Sequence, residues 1–387
     1  MAQSIIVYSF MCFVLYFATR PSVVYLHNEN SGSIKQTQTN IKGLVFALLV
    51  FAFFSGVRWD VGIDHLAYVL DYNTVGIIGD VYRDDMEEGY VHIMRIFNSL
   101  GAHSSIFLGV VAFLQLSFVY YAFKNQKFIL PFLGVFIMCG GDFFFWMNGI
   151  RQALAATCFV CLLIHFVLNK RLIPYLICIL IASYIHKSAL LLAVFYPLTY
   201  LNLDKVYLRR DLQYFIFISA LLLSSTNIWT YLLDFVDSIF SFIGYDERFK
   251  MNRIEDNIRE QNFGIRKSLF FLIDIIIIYY SQKLRLFYSD RSFGIIYIFY
   301  FILIVTQPLF MSSLVFSRMT GYFYLFRSIV SAYLLFYLFK VNRTNLNRNI
   351  GIIILLFYFL HILIQIYVDK GGHTGCIRYQ FFWDITS

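Results

Sequence analysis

Charge is scarce in this sequence: 14% of its residues are Asp, Glu, Lys or Arg, against about 25% in soluble domains. With 59% hydrophobic residues and a mean hydropathy of +0.68, the polar surface needed to cover a water-exposed globule is missing. The short alternating segments of a transmembrane β-barrel are missing as well. There is no disulfide framework: Cys12, Cys139, Cys158, Cys161 and Cys178 lie inside apolar runs, and only Cys376 sits in a polar tail. The Cys158/Cys161 pair falls mid-run and reads as packing. Met1-Ala2-Gln3-Ser4 carries no basic side chain, so a cleaved signal is not expected; the start reads as a retained first helix with its N-terminus outside. No Asp-x-Asp, HExxH or zinc-spaced CxxC pair occurs, and no internal repeat is visible.

What the sequence has is apolar runs of about the length that crosses a ~30 Å hydrocarbon core. In that core each run must satisfy its own backbone hydrogen bonds, which tandem long runs do as helices. Twelve are expected, at residues 5–18, 43–57, 105–123, 128–145, 150–168, 172–185, 189–203, 212–229, 268–280, 293–310, 322–339 and 350–368. The fold class is therefore all-α, a polytopic transmembrane helix bundle of about 12 spans forming one membrane domain over residues 1–387.

The net charge of +8 points to membrane topology rather than to nucleic acid, because Lys and Arg sit in short gaps between runs. Residues 172–203 are either one long helix interrupted at His186-Lys187-Ser188 or two short spans. Two spans put 16 Lys and Arg against four acids on one face, leaving 15 basic and 19 acidic residues elsewhere. The positive-inside rule then places both termini on the extracytoplasmic side. Two outer segments exceed what a connection needs, residues 58–104 and 230–267, and loops of this length are often functional. In the first, Val91, Met94, Phe97 and Leu100 recur at near-helical spacing, which predicts a short helix along the outer interface.

The first outer segment opens Arg58-Trp59-Asp60-Val61-Gly62-Ile63-Asp64-His65-Leu66-Ala67-Tyr68. An Arg leaving a helix end beside two carboxylates reads as an interfacial ion pair in a Trp belt or as an anion-binding group with a base nearby. Glu87-Glu88-Gly89-Tyr90 sets two acids ahead of the interfacial helix. There they complement its dipole or raise one another's pKa for general-base work. In Asn148-Gly149-Ile150-Arg151-Gln152, Asn148 as N-cap puts Arg151 in a first turn, where a cation opposes the helix dipole. A bound anion is the favoured compensation; a salt bridge to an outer-loop acid is the other. His186-Lys187-Ser188 marks the tight outer turn. Arg318, in Ser317-Arg318-Met319-Thr320-Gly321-Tyr322, enters a run from outside, with Arg327 deeper. Intramembrane charges usually line a cavity, and Asp274 either pairs with Arg327 or caps a polar pocket. Arg58, Arg151 and Arg318 thus come from separate helix ends at one membrane level. Guanidiniums grip phosphate bidentately, so an Arg clamp rather than a metal is expected to carry an anionic leaving group. A phosphate at a bilayer surface is most simply part of a lipid. The Tyr and Trp residues there either stack on sugar faces or form an aromatic belt.

The string Gly56-Val57-Arg58-Trp59-Asp60-Val61-Gly62-Ile63-Asp64 with Tyr68 resembles the first outer-loop motif of the EpsG/Wzy-type bacterial polysaccharide polymerases. Glu88-Gly89-Tyr90, Arg151-Gln152-Ala153-Leu154-Ala155, His186-Lys187-Ser188-Ala189-Leu190 and Arg318 with Tyr322-Phe323 follow in that family's order. His65 departs from it, since members often carry an aromatic after the Asp. The resemblance implies a metal-independent glycosyltransferase without cofactor in the bacterial cytoplasmic (inner) membrane. Such proteins join oligosaccharide repeat units carried on polyprenyl diphosphate into O-antigen, capsule or exopolysaccharide, working beside a flippase and a chain-length regulator. On this reading Asp64 or Glu88 is the base, and Arg58, Arg151 and Arg318 hold the diphosphate. Asp60, Tyr68, Glu87, Tyr90, Asn148, Gln152, His186, Tyr322 and Arg327 surround the substrate. The competing expectations are an O-antigen ligase or other transferase using the same lipid diphosphate, and a lipid-linked oligosaccharide flippase.

Overall fold

The computed structural model describes residues 1–21, 40–81, 86–200, 209–224, 264–310, 319–368 and 378–385. Every regular element among them is helical, apart from one isolated antiparallel bridge between Arg58 and Phe381. The chain runs through α1 (Ala2–Ala18), α2 (Ile41–Gly56), α3 (His65–Ile78), α4 (Glu88–Ser99) and α5 (Ser104–Ala122). It continues with α6 (Leu130–Cys139), α7 (Asp142–Asn148), α8 (Ile150–Leu162, prolonged by a π turn to Val167) and α9 (Leu172–Ile185). A 3-10 helix (Lys187–Tyr200) follows, then α10 (Arg210–Leu223), α11 (Ile265–Phe287), α12 (Arg291–Leu309), α13 (Tyr324–Phe336) and α14 (Asn345–Val368).

Helix lies at each of the twelve apolar runs, but by length and hydropathy fewer qualify as spans. Ser104–Ala122, Ile150–Val167, Arg291–Leu309, Gly321–Val341 and Asn345–Val368 are each long and apolar enough to cross a membrane. Lys127–Cys139 and Asp142–Asn148 make a sixth if the pair, bent by 60°, is one span. The protein is thus an integral membrane helix bundle with five or six such spans among the described residues. The run at 128–145 is not straight as its sequence reads, because the chain breaks at Gly140-Gly141. The described part of the 172–203 stretch, residues 172–200, forms two elements. His186 ends α9 with an extended backbone (φ −152°), and the Tyr175 hydroxyl donates to the Leu192 carbonyl across the hairpin at 2.5 Å. The second element has 14 residues, and 3-10 geometry stretches them to about 28 Å, where an α-helix would reach about 21 Å.

Burial ranks the helices. In the Gly321–Val341 window, 89% of the residues are buried, against 33% in Asn345–Val368, so α13 is the central helix and α14 lies at the periphery. Phe10, Phe13 and Phe17 on α1, and Ile173, Ile177 and Leu180 on α9, are exposed in rows one or two turns apart. Apolar rows facing outward in this way are what a bilayer covers.

Polar contacts collect at the two ends of the bundle. At one, Gln126 donates to Asp290 (2.5 Å) and Ser292 (2.8 Å), while Arg210 and Lys283 both lie over the Tyr279 ring. At the other, the two termini meet: Gln3 donates to Asp384 at 2.9 Å and the Tyr379 amide donates to Ser4 Oγ at 2.9 Å. The first end holds residues of the basic face, and the second holds the long segment from Arg58 onward.

Among its described residues that segment contains two helices, where one along the interface was expected. α4 covers most of the anticipated stretch; α3 was not anticipated. Together they form a hairpin on a small core of their own. Tyr68, Tyr72 and Val75 pack with Tyr90 and Met94 over Phe107 of α5 and Leu154 of α8. Asn98 Nδ2 donates to the Tyr72 carbonyl at 3.0 Å and Arg95 Nε to the Gly79 carbonyl at 2.6 Å, tying the two helices. The second long segment, 230–267, falls outside the described residues except for its last few.

Candidate functional site

Arg58 follows the end of α2, and its side chain turns inward with 1% of its surface exposed. Nη1 donates to the Ser55 carbonyl, Nε to the Val61 carbonyl at 3.1 Å, and Nη2 reaches the Met147 carbonyl at 3.5 Å. Burial pulls the guanidinium down to about 10, while the hydroxyls of Tyr379, Tyr90, Tyr8 and Tyr68 act the other way. Arg58 therefore pins the 55–61 turn to the end of α7 and is not presented at the rim as a clamp. Backbone geometry completes the turn. Asp60 sits at φ +50° and Gly62 at φ +100°, and a Cβ on Gly62 would meet Asn148 Oδ1 and the Met147 carbonyl at 2.9 Å. The Asp60 amide donates to His65 Nδ1 at 3.1 Å, which requires that nitrogen to be unprotonated. Burial and then the Arg58 charge lower His65 to about 3.

A C-terminal strap, Arg378 to Ile385, closes over this turn. The Trp59 amide donates to the Gln380 carbonyl at 2.8 Å, and the Phe382 amide to the Val57 carbonyl at 3.0 Å. The Tyr379 hydroxyl donates to the Phe54 carbonyl at 2.8 Å.

Beside the turn, three separated sequence stretches meet on one carboxylate. Glu87, just before α4, is 8% exposed. One of its oxygens pairs with Arg151 Nη1; the other lies 2.9 Å from His186 Nδ1 and accepts the Lys187 amide at 3.1 Å. Burial pushes the Glu87 carboxyl up, but the His186 hydrogen bond and the Arg151 charge outweigh it and hold it at about 2. Gly89 makes this approach possible, since a Cβ there would lie 2.4 Å from the Tyr184 carbonyl. The Tyr68 hydroxyl stands beside the Arg151 guanidinium, and the Tyr90 ring packs edge-on against Tyr68 at 6.0 Å. Ser188, next in the turn, shares a 2.6 Å hydrogen bond with the Tyr322 hydroxyl.

The sequence-expected residues thus divide. Glu87, Arg151, His186, Tyr68 and Tyr90 are brought together, with Tyr322 joined through Ser188, and Gln152 next to Gly321. Arg151 is compensated by the outer-loop acid Glu87, the alternative to the anion favoured from sequence. Asn148 is not the N-cap of α8; it ends α7, Gly149 takes the cap position, and Asn148 Oδ1 is buried without a hydrogen-bond partner. Asp64 caps α3 without a side-chain hydrogen bond and is half-buried, whereas Glu88 is exposed at the start of α4. Arg318 lies outside the described residues. Arg327 belongs to a second, deeper site, where it holds Asp274 through Nε and Nη2, both at 3.0 Å, and donates to Gln307 at 2.6 Å. Of the two readings of Asp274, pairing with Arg327 is the one observed. Sequence reasoning missed the strap, although the aromatic string Tyr379-Gln380-Phe381-Phe382-Trp383 after a polar stretch was the signal that marked it.

Neither a search of curated proteins nor one of solved structures returned a match. The EpsG family model matches residues 43–381, from the start of α2 to the strap. The chain belongs to the EpsG family, whose membership supports a function of the polysaccharide-polymerase type.

Proposed function

We propose that this protein joins oligosaccharide repeat units carried on polyprenyl diphosphate into a surface polysaccharide, at the outer face of the bacterial cytoplasmic membrane. The observation that carries the reading is the convergence of the Glu87, Arg151 and His186-Lys187 stretches on one carboxylate, within a chain of the EpsG family. The growing glycan lies with its diphosphate at Arg151 and Arg318. A hydroxyl of the incoming unit gives its proton to Asp64 or Glu88 and attacks the anomeric carbon. The bond from that carbon to the diphosphate oxygen breaks, and the polyprenyl diphosphate leaves with the electron pair. A single displacement inverts the anomeric centre. Contacts to charge building on a leaving group are typically worth about 2–4 kcal/mol each. Glu87 and His186 hold Arg151 in place; Arg58 positions the turn that carries Asp60 and Asp64. Tyr68, Tyr90, Asn148, Gln152 and Tyr322 surround the sugars nearest the reacting carbon. The transfer is metal-independent, and polymer formation persists in the presence of a chelator.

The test is genetic. Arg151→Ala or Arg318→Ala leaves cells with single repeat units on their glycan carrier and no polymer. Normal chain length in both variants overturns the reading. Glycan profiles also separate the competitors: a ligase null leaves unattached polymer, and a flippase null keeps lipid-linked units on the cytoplasmic face.

A further inference from the structure

A cavity of about 210 Å³ opens where α6 breaks from α7, between α11, α12, α13 and α14. It is distinct from the Glu87 cluster. The seven residues of α7, about 10 Å of helix, separate Asp142 at the cavity from Asn148 at the Arg58 turn. The size is below the ~300–1,000 Å³ of sites for drug-sized ligands, which suits one ring rather than a chain.

The lining is unusual for a membrane interior. Asp142 (4% exposed) takes a hydrogen bond from Ser328 on one carboxylate oxygen. Arg327 is held on Asp274 through Nε and Nη2 and on Gln307 through Nη2, and with Asp142 in the lining there are two carboxyl groups to this one guanidinium, a balance that disfavours a phosphate. Gln365 contributes a buried amide oxygen that has no hydrogen-bond partner. Among these polar groups stand the rings of Phe145, Phe270 and Tyr324, with Phe145 and Tyr324 edge-on at 5.4 Å. A buried polar atom left unpaired costs about 1–3 kcal/mol, and intramembrane ionisable groups as a rule serve a ligand or pathway. A carboxylate and amides can together accept from and donate to several hydroxyls, and apolar ring faces suit the C–H face of a sugar. That combination matches a neutral polyhydroxylated ring and matches neither an anion nor an apolar tail.

We propose that this cavity is a subsite for one neutral pyranose unit of the oligosaccharide, with Gln365 and Asp142 as its hydrogen-bonding groups. The identity of the ligand rests on the polymerase reading above; the cavity and its chemistry do not. The experiment uses the full-length protein in detergent. The probe is the water-soluble repeat oligosaccharide, released by mild acid from the lipid-linked units of cells lacking this protein. Titration calorimetry is run on the wild type, Gln365→Leu and Gln365→Phe, with thermal unfolding as the check on folding. Because Gln365 Oε1 has no partner, Leu removes no hydrogen bond to that oxygen, and this variant is expected to fold as the wild type does. The expected result is saturable binding to the wild type, weakened at least tenfold by Leu and abolished by Phe, which fills the cavity. Binding unchanged in the folded Leu variant, or no binding to the wild type, overturns the subsite. Polymer synthesis is scored separately with intact lipid-linked units. Polymer without binding sinks the subsite alone, and binding without polymer sinks the polymerase alone.

Discussion

Glu87 holds Arg151 across 64 residues of sequence, carboxylate to guanidinium, and the same carboxylate takes His186 and the Lys187 amide on its other oxygen. Removing one partner of a buried pair leaves an uncompensated charge, at about 3–5 kcal/mol. Glu87→Ala and Arg151→Ala are therefore each expected to lower unfolding stability by that order. The double variant should lose less than the sum, because contacting groups couple by about 0.5–3 kcal/mol. Denaturant unfolding of the three purified variants checks this, and strict additivity contradicts the pairing.

Gly89 admits no side chain, whereas Gly79 has nothing within 4 Å of where a Cβ would stand. Gly89→Ala should push α4 off the end of α9, separating Glu87 from His186, at about 1–3 kcal/mol for overpacking. Its polymer yield should fall to that of Glu87→Ala. Gly79→Ala carries only the strain of φ +74°, and should keep its product ladder. Equal ladders from the two variants would show that the close approach is immaterial.

Acid sensitivity follows from two groups of the 58–104 segment. His65 is held down to about 3 by burial and by Arg58, so between its ordinary ~6.5 and 3 the unfolded chain binds a proton that the folded chain refuses. Stability contributed by the neutral ring is whole above about pH 6.5 and is lost as pH falls through that window. Glu87, held at about 2, contributes stability above its ordinary ~4.3 that is lost as pH falls toward 2. His65→Gln should flatten the first loss and leave the second. A thermal-unfolding series from pH 7 to pH 2 on wild type and variant covers both limbs.

Much of the bundle was legible because apolar runs and helix periods are local signals. The spacing of Val91, Met94 and Phe97 points to α4, and lone charges in apolar runs need partners, which left Asp274 open between pairing with Arg327 and capping a polar pocket until the structure showed the pair. α3 was hidden, since Asp71, Asn73 and Thr74 interrupt its pattern, and its apolar face is visible only against α4 and α5. The bend at Gly140-Gly141 was hidden too, in a run that reads as continuously apolar. Arg58 was misplaced for a different reason. Its burial depends on Met147 and on the strap from the far end of the chain, and no local pattern carries contacts of that separation.

The strap makes its own prediction. Deleting residues 378–387 removes the carbonyl and amide partners of Trp59 and Val57 and uncovers Arg58. The truncated protein should still insert in the membrane, but with a lower melting temperature and little polymer. Limited proteolysis within the 55–65 turn should quicken. A truncation with wild-type melting and wild-type polymer would remove the strap from the site.

Reconstitution decides whether this chain joins lipid-diphosphate-linked units and whether Arg151 acts at the reacting end. Purified wild type and Arg151→Ala are placed in vesicles with a lipid-linked repeat unit, and the products are resolved by gel. The expected products are a ladder of multiples from the wild type and the single unit from the variant. A wild type that leaves the single unit unchanged, or a variant whose ladder matches the wild type, would contradict it.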